Sequence, residues 1–362
     1  VYHDIGGKMV IRFYDKETFA LRGELPSFIS TTQTKYINAA GTFEITADAI
    51  PDGLDLESVV CVTGPECETY CGEVTQIGGS LSGKGETYTI KGRELLGLLS
   101  ERMPIYNEKL LTYSAGMPRE TMMKDMLEKT FVTPDLADRA ISQIQVRASQ
   151  GRGSTGAFSC TAENSVLDNA IDAGEKDSFG LEVTPDFTAK RYIVDIIAPR
   201  KTSVLISPKF DNLADEEYLQ SRAAHKNVAY YSYPQEGSDL PVYGAVDLDA
   251  GTGFGRKERW ITASSTSESE EAVQAIIRMQ LGNFKPVLSF SGEYQASQTF
   301  LFGQDFSLGD WVVFAGKTGS ATSQVIGFTQ THGAGKYTLQ LLFGSNVLKN
   351  VTGILRSTWA VL

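Results

Sequence analysis

Histidine is almost missing from this chain: His3, His225 and His332 are the whole supply over 362 residues. A Ser-His-Asp triad or a histidine metal site needs imidazoles brought together at one place, and three scattered ones argue against both. Cysteine is nearly as scarce, with four residues. Cys61, Cys67 and Cys71 follow the spacing C-x5-C-x3-C, and Cys160 is remote. Zinc sites show paired C-x-x-C motifs or a nearby histidine pair, and neither is present. The expectation is reduced structural cysteines, with Cys61 and Cys71 on the two arms of a hairpin around Gly64-Pro65 and Cys67 at its exposed tip.

Positive charge is also short. Lys and Arg number 33 against 44 Asp and Glu, a net charge of −11. A dedicated nucleic-acid binder needs clustered cations to displace counterions, whereas the densest local set here, Arg256, Lys257 and Arg259, encloses Glu258. A repulsive surface remains compatible with a channel through which DNA slides without sticking. No apolar run reaches the ~18 residues needed to cross a bilayer. Val1 to Lys8 is polar, without an apolar signal region or an initiator Met, so cytoplasmic synthesis and a processed or trimmed start are expected.

Enzymatic signatures are equally thin. Gly251-Thr252-Gly253-Phe254-Gly255 looks like a phosphate-cradling loop, but it leads into a strand-like stretch, Arg256 to Ile261, and not into a helix. A dinucleotide site requires the helix, so the loop reads as a plain turn. The G-x-S-x-G elbow does not occur. The carboxylate runs fall where charge is ordinarily solvated: Asp211, Asp215, Glu216 and Glu217 in a polar connection, Glu268, Glu270 and Glu271 at a helix start. No catalytic residue, cofactor or metal ligand is assigned, and the protein is read as no enzyme.

What the chain has is turn-forming glycine (35) and tyrosine (15) on a short-strand rhythm. Strands are expected at Met9–Tyr14, Phe28–Thr34, Thr42–Thr46, Ser58–Val62, Cys71–Ile77 and Glu86–Ile90, with Leu95–Leu99 as a closing helical turn. The period then changes. Pro118 opens a helix with Met122, Met123, Met126 and Leu127 on one face, read as core. A second helix starts near Asn164, with Val166, Leu167, Ala170 and Ile171 inward and Gly174 at its end. A hairpin follows over Gly180–Thr184 and Tyr192–Ile197. Residues 148–156, rich in Gly and Ser, read as the most flexible stretch. Further strands are expected at 204–206, 227–233, 242–248 and 259–261. The capping-box pattern Ser267-x-x-Glu270 then starts a helix with Val273, Ile276, Ile277 and Leu281 on one face and Gly282 as its stop. Strands at 287–290, 308–314, 323–329 and 337–343 finish the chain, with Gly333–Lys336 as the last turn.

The fold class expected is mainly β with an α+β insertion: two small β-barrels plus an α+β domain. The boundaries are residues 1–108 for the first barrel, with strands from 205–248 as candidates to complete it. Residues 109–204 form the α+β domain, 205–285 connecting strands and a helix, and 286–362 the second barrel.

Three stretches together resemble the siphovirus Gp37-like family of tail proteins. The first is Lys35-Tyr36 through Gly41-Thr42-Phe43-Glu44-Ile45. The second is Gly72-Glu73-Val74 followed by Gly92-Arg93-Glu94-Leu95-Leu96 and Leu99-x-x-Arg102. The third is Leu308-Gly309-Asp310-Trp311-Val312. The resemblance implies a baseplate hub at a tail tip, in which three subunits present six hub-type barrels as a ring beneath a sixfold tube. It implies as partners a homotrimer, a distal tail protein or tail tube, a tape-measure protein, and a downstream spike, fibre or lysin component. The implied location is the virion tail tip or baseplate. Gly41, Phe43, Gly92, Arg93, Arg102, Gly309, Asp310 and Trp311 become structural or interface candidates. Gly92, Arg93 and Arg102 are expected to organise the first barrel and its exit, one arginine paired to a carboxylate; Trp311 is expected to be a core or interface anchor. Two alternatives stand beside this reading. One is a receptor- or glycan-binding adhesin using Tyr230, Tyr231 and Tyr233; the other is the N-terminal part of a tail-associated peptidoglycan hydrolase.

Overall fold

The structure, a computed structural model, describes residues 9–64, 67–82, 85–233, 241–248, 252–262, 270–282, 284–295, 300–316, 319–333 and 335–344. The chain divides into two compact units, one from residues 1–217 with 290–362 and one from 218–289.

The fold is mainly β. Among the described residues thirteen strands join in one sheet, and its N-terminal part runs in the order Ser30–Tyr36, Thr42–Ala47, Gly85–Glu94, Tyr70–Ser82, Ser58–Thr63, Val10–Asp15, Leu21–Glu24. Strand side chains alternate faces, and here the alternation has a clear consequence. Ile11, Phe13, Phe43, Ile45, Val60, Val62, Val74 and Ile90 form one buried cluster from a single face of this part. One face can bury against itself only if the sheet curls strongly. Val59 and Cys61, on the other face, pack against the helical region.

The C-terminal part is built alike. Lys201–Ile206 pairs in parallel with Trp311–Gly316, which is antiparallel to the first half of the long strand Gly319–Gly333. The second half of that strand pairs with Lys336–Gly344, and Val287–Tyr294 and Leu213–Ser221 extend the order outward. Val204, Ile206, Val312, Phe314, Phe328, Leu341 and Phe343 fill its own core. The acidic stretch 211–217, expected as a connection, therefore mostly lies on a strand. Leu213 is buried there while Asp215 takes a positive φ of 47°. The strands 201–206 and 213–221 join the C-terminal strands, and so do not complete the N-terminal part as the sequence suggested for 205–248.

Among the described residues neither part closes into a barrel. Ser30–Tyr36 follows Leu21–Glu24 in the chain but does not pair with it. Its two edges go to Thr42–Ala47 and, over residues 327–333, to Gly319–Gly333.

Between them lies the α+β region. Helix α1 (Arg119–Leu127) has Pro118 as its N-cap, and Met122, Met123, Met126 and Leu127 are fully buried. Helix α2 (Val166–Gly174) starts at Ser165 with a capping box closed by Asp168. The α-helix ends at Gly174 as expected, and a 3-10 turn carries the chain on to Asp177, after which Ser178 takes the left-handed conformation (φ 56°). The expected hairpin Gly180–Asp186/Arg191–Ile197 gains a third, parallel strand, Ile144–Val146. The stretch 148–156 is held rather than loose. Arg152 pairs with the buried Glu120 through two of its guanidinium nitrogens, Nε and Nη2 (2.9 Å each), and Ser154 donates to Asp177. Lys124 reaches the same Glu120, Asp195 and the Ala148 carbonyl. Burial pushes the Glu120 carboxyl upward, but its Arg152, backbone and Lys124 partners outweigh this and hold it down to about 2.

Cys61 and Cys71 sit on adjacent hairpin strands as expected, but they are joined as a disulfide, which corrects the expectation of reduced thiols. Directly opposed strand positions bring two Cβ atoms within reach of one bond. Cys67 is partly buried and Cys160 buried, and burial pushes the Cys160 thiol up to about 12.

The unit 218–289 is a three-stranded sheet, Val242–Asp247, Val228–Tyr233, Glu258–Thr262, with helix α3 (Glu270–Gly282) on one face. Val273, Ile277 and Leu281 pack on Ala229, Tyr231, Val246 and Ile261. Ser267 of the expected capping box, Gly251 and Ala334 lie outside the described residues. Residues 253–255 form a single 3-10 turn ahead of a strand, not a helix-capped loop.

Candidate assembly site

Gly41, Phe43, Gly92 and Arg93 come together on neighbouring strands. Phe43 stands opposite Gly92, and Gly92 opposite Val74. A Cβ on Gly92 would lie 1.9 Å from the Glu73 carbonyl oxygen and 2.4 Å from the Phe43 ring; one on Gly72 would meet the same ring at 2.9 Å. The ring thus occupies space that two absent side chains leave, and its edge meets Tyr70 at 6.1 Å between centroids. Gly41 is excluded from bearing a side chain by the Thr34 carbonyl, 1.8 Å from where its Cβ would sit. The Gly-x-Phe-Glu and Gly-Arg patterns are two halves of one packing arrangement.

Arg93 points to the opposite face. Its Nε and Nη2 donate to Glu73 (3.1 and 2.9 Å), and Nη1 reaches Glu101 at 2.6 Å. Its stem lies over Gly97, where a Cβ would come within 2.5 Å. Arg93 therefore clamps the last N-terminal strand onto the 3-10 turn Leu95–Glu101. Arg102 makes no ion pair among the described residues; its carbonyl accepts the Val166 N–H at 2.8 Å at the start of α2.

Glu94, between these residues, is 2 % exposed. It accepts the Gly41 N–H (3.3 Å) and faces Lys35 Nζ at 3.8 Å, while its Oε1 has no hydrogen bond. Burial raises its pKa to about 7 against the pull of Lys35. The sequence offered it only as the residue after Gly-Arg, with nothing to mark it as buried.

The third motif lies elsewhere. Gly309 has φ 93°, and a Cβ there would come within 2.5 Å of Ile197; only glycine meets both demands. Asp310, buried, accepts from the Arg200 and Ser307 backbone N–H groups and from two Arg200 guanidinium nitrogens. Trp311 is half-buried, and its N–H donates to the Arg200 carbonyl at 2.8 Å. This turn fastens the end of the α+β region to the first C-terminal strand.

Where the two curled parts meet, Ile37 donates to the Ile326 carbonyl (3.1 Å) and accepts from Leu181 (2.9 Å). Ile37 and Ile326 are buried together with Ile197, Leu308 and Leu342 against them. One backbone position thereby ties both sheet parts to the α+β hairpin. No motif flagged Ile37, which reads locally as one more apolar residue after a strand.

Among the described residues, no group of three or more His, Cys, Asp and Glu side chains could hold a metal ion. No described helix is long and apolar enough to cross a membrane.

Three solved structures share the fold along nearly the whole chain. The 43 kDa tail protein of prophage MuSo2 from Shewanella oneidensis matches with TM-score 0.58 and 11% identity, over 92% of this chain and 97% of that one. A tail protein from Neisseria meningitidis MC58 matches with TM-score 0.58 and 12% identity, over 94% and 98%. The prophage tail protein gp18 of Listeria monocytogenes EGD-e matches with TM-score 0.52 and 12% identity, over 96% and 98%. No curated protein sequence matches. The family model of the Siphovirus ReqiPepy6 Gp37-like proteins spans residues 10–345, and the chain belongs to that phage tail family.

Proposed function

We propose that this chain is a structural hub subunit of a phage or phage-like baseplate. Three copies form a ring that joins a sixfold tail tube or distal tail protein to the tail tip. The observation that carries the reading is the pairing of Ser30–Tyr36 with Gly319–Gly333. It sets side by side two curled β parts, each with its own core, within one subunit. Two such hub-type units per chain become six in a trimer, the number that a sixfold tube requires. In it 1–108 acts as one barrel-like unit and 286–362, joined by the strands 201–206 and 213–221, as the other, with the α+β domain begun at 109 and the unit 218–289 between them in the chain. Gly92 and Arg93 organise the first unit, the backbone carbonyl of Arg102 helps fix its exit, and Gly309, Asp310 and Trp311 organise the entry to the second. The tape-measure protein is the partner inside the ring, and a spike, fibre or lysin component the partner below. The role needs no catalytic step.

The test is the native mass of the purified protein by light scattering, across protein concentration and salt. Three chains of 39.4 kDa give about 118 kDa and carry three times the −11 charge. Assembly is therefore expected to strengthen as salt screens the repulsion. A monomer at every concentration and salt would overturn self-assembly into a ring.

A further inference from the structure

The sheet of the 218–289 unit has a second face, turned away from α3. Alternation along its three strands sends Tyr231, Val246 and Ile261 to the helix and Tyr230, Tyr243 and Trp260 to the other side. Those three rings are 38, 68 and 50 % exposed, although rings of this size are ordinarily buried. Tyr230 stands directly opposite Trp260, and Ser232 opposite Tyr243. The small Ser232 leaves room for the Tyr243 and Trp260 rings to approach to 6.1 Å, at an interplanar angle of 57°.

At one end of this row the polar groups are fixed. Arg256 bonds Glu258 (2.5 Å), Asp247 (3.4 Å) and the Tyr230 hydroxyl (3.1 Å), and that hydroxyl reaches Glu258 at 3.4 Å. The guanidinium lies over the Tyr230 ring at 6.0 Å. One cation against two carboxylates leaves this end of the row a single net negative charge, which disfavours an anionic partner.

We propose that this face binds a neutral oligosaccharide. Exposed rings offer flat apolar surfaces to the C–H faces of sugar rings, while the Asp247 and Glu258 carboxylates and the Ser232 and Thr262 hydroxyls offer hydrogen bonds to sugar hydroxyls. Arg256 already holds both carboxylates, so they stand as fixed hydrogen-bond acceptors that suit a polyhydroxyl ligand without charge of its own. Strand-borne rings are pre-oriented, which reduces the ordering cost of binding. An open sheet face encloses a ligand on one side only, so the interaction is weak singly and gains from several copies on one particle. The inference does not rest on the hub reading: the rings belong to one unit of one chain.

The experiment is saturation-transfer NMR on the full chain with cellotriose, maltotriose, triacetylchitotriose and a rhamnose trisaccharide as probes, with native mass measured in parallel. At least one probe is expected to receive saturation from the aromatic protons. Trp260→Ala and Tyr243→Ala should each cut that signal five-fold or more, with melting temperature and native mass unchanged, while Leu136→Ala, at an exposed site of the other unit, leaves it intact. Should either aromatic variant fail to fold, Trp260→Phe and Tyr243→Phe, expected to keep most of the signal, take its place with Ala245→Arg, which should block the face. No signal from any probe, or binding untouched by these changes, overturns the proposal. So does a lower native mass in Trp260→Ala, which would show the face to be covered by another copy. A monomer that binds sugar would leave this inference standing while the ring reading fell.

Discussion

Arg200 and Asp310, 110 positions apart, meet in a two-pronged ion pair in which the carboxylate is 4 % exposed and the guanidinium 61 %. The asymmetry decides what each contributes. Asp310 also accepts two backbone N–H groups, so Asp310→Ala strands several donors at once. It should cost about 2–4 kcal/mol. Arg200→Ala, whose charge is largely solvated, should cost about 1 kcal/mol or less. Urea unfolding of the two variants checks the order.

Gly92→Ala should fail to fold or lose more than about 3 kcal/mol, because the nearest obstacle is the Glu73 backbone oxygen and not a side chain that can rotate away. Phe43→Ala alone should cost about 3–5 kcal/mol. Adding Phe43→Ala to Gly92→Ala should give no rescue. Recovery of a native melting curve in the double variant would show the ring to be the obstacle.

Arg93 and Arg102 should separate cleanly. Arg93→Ala breaks the bonds to Glu73 and Glu101 and uncovers Gly97; about 1–2 kcal/mol is expected. Arg102→Ala breaks no ion pair among the described residues and should lie within about 0.5 kcal/mol of the parent, with native mass unchanged. A large loss of assembly in Arg102→Ala with stability intact would make Arg102 an interface residue.

Glu94 supplies a pH dependence whose sign is opposite to that of most carboxylates. Its folded pKa is about 7, above the ~4.3 of an unfolded glutamate. The folded state therefore holds the proton more tightly, and stability falls as pH rises between these two values, then levels off. The loss is on the order of 3 kcal/mol. Glu94→Gln should remove that slope and raise the melting temperature at pH 8 while changing little at pH 4. Glu120, held down to about 2, behaves conversely: its contribution is present above the unfolded pKa and lost as pH falls from there towards 2.

Much of the fold could be read from periodicity alone. The Met122, Met123, Met126 stripe is fully buried, the α2 cap falls one residue from its expected place, and α3 shows the Val273, Ile277, Leu281 face. What failed locally was decided by distant partners. Leu213–Ser221 is polar enough to pass for a connection and becomes a strand because Val287–Tyr294 offers it an edge. The stretch around Arg152 looks flexible until Glu120, on another element, fixes it. The motif residues fell into two packing clusters, one beneath Phe43 and one around Asp310. The first depends on distant carbonyls and a ring, the second on Arg200 and Ile197, and no local pattern displays any of them.

Gln330 exchanges two hydrogen bonds with the backbone of Glu68, 262 residues earlier, each at 2.9 Å. On the ribosome, at roughly 5–20 residues per second, that partner arrives on the order of 10–60 s after Glu68 is made. Until then the Ser30–Tyr36 edge that residues 327–333 will cover stands bare, a template for pairing with another nascent chain. A release of synthesis before residue 319 should therefore give insoluble product, however well the first hundred residues have folded. Yield in the host is therefore expected to fall the longer that edge waits.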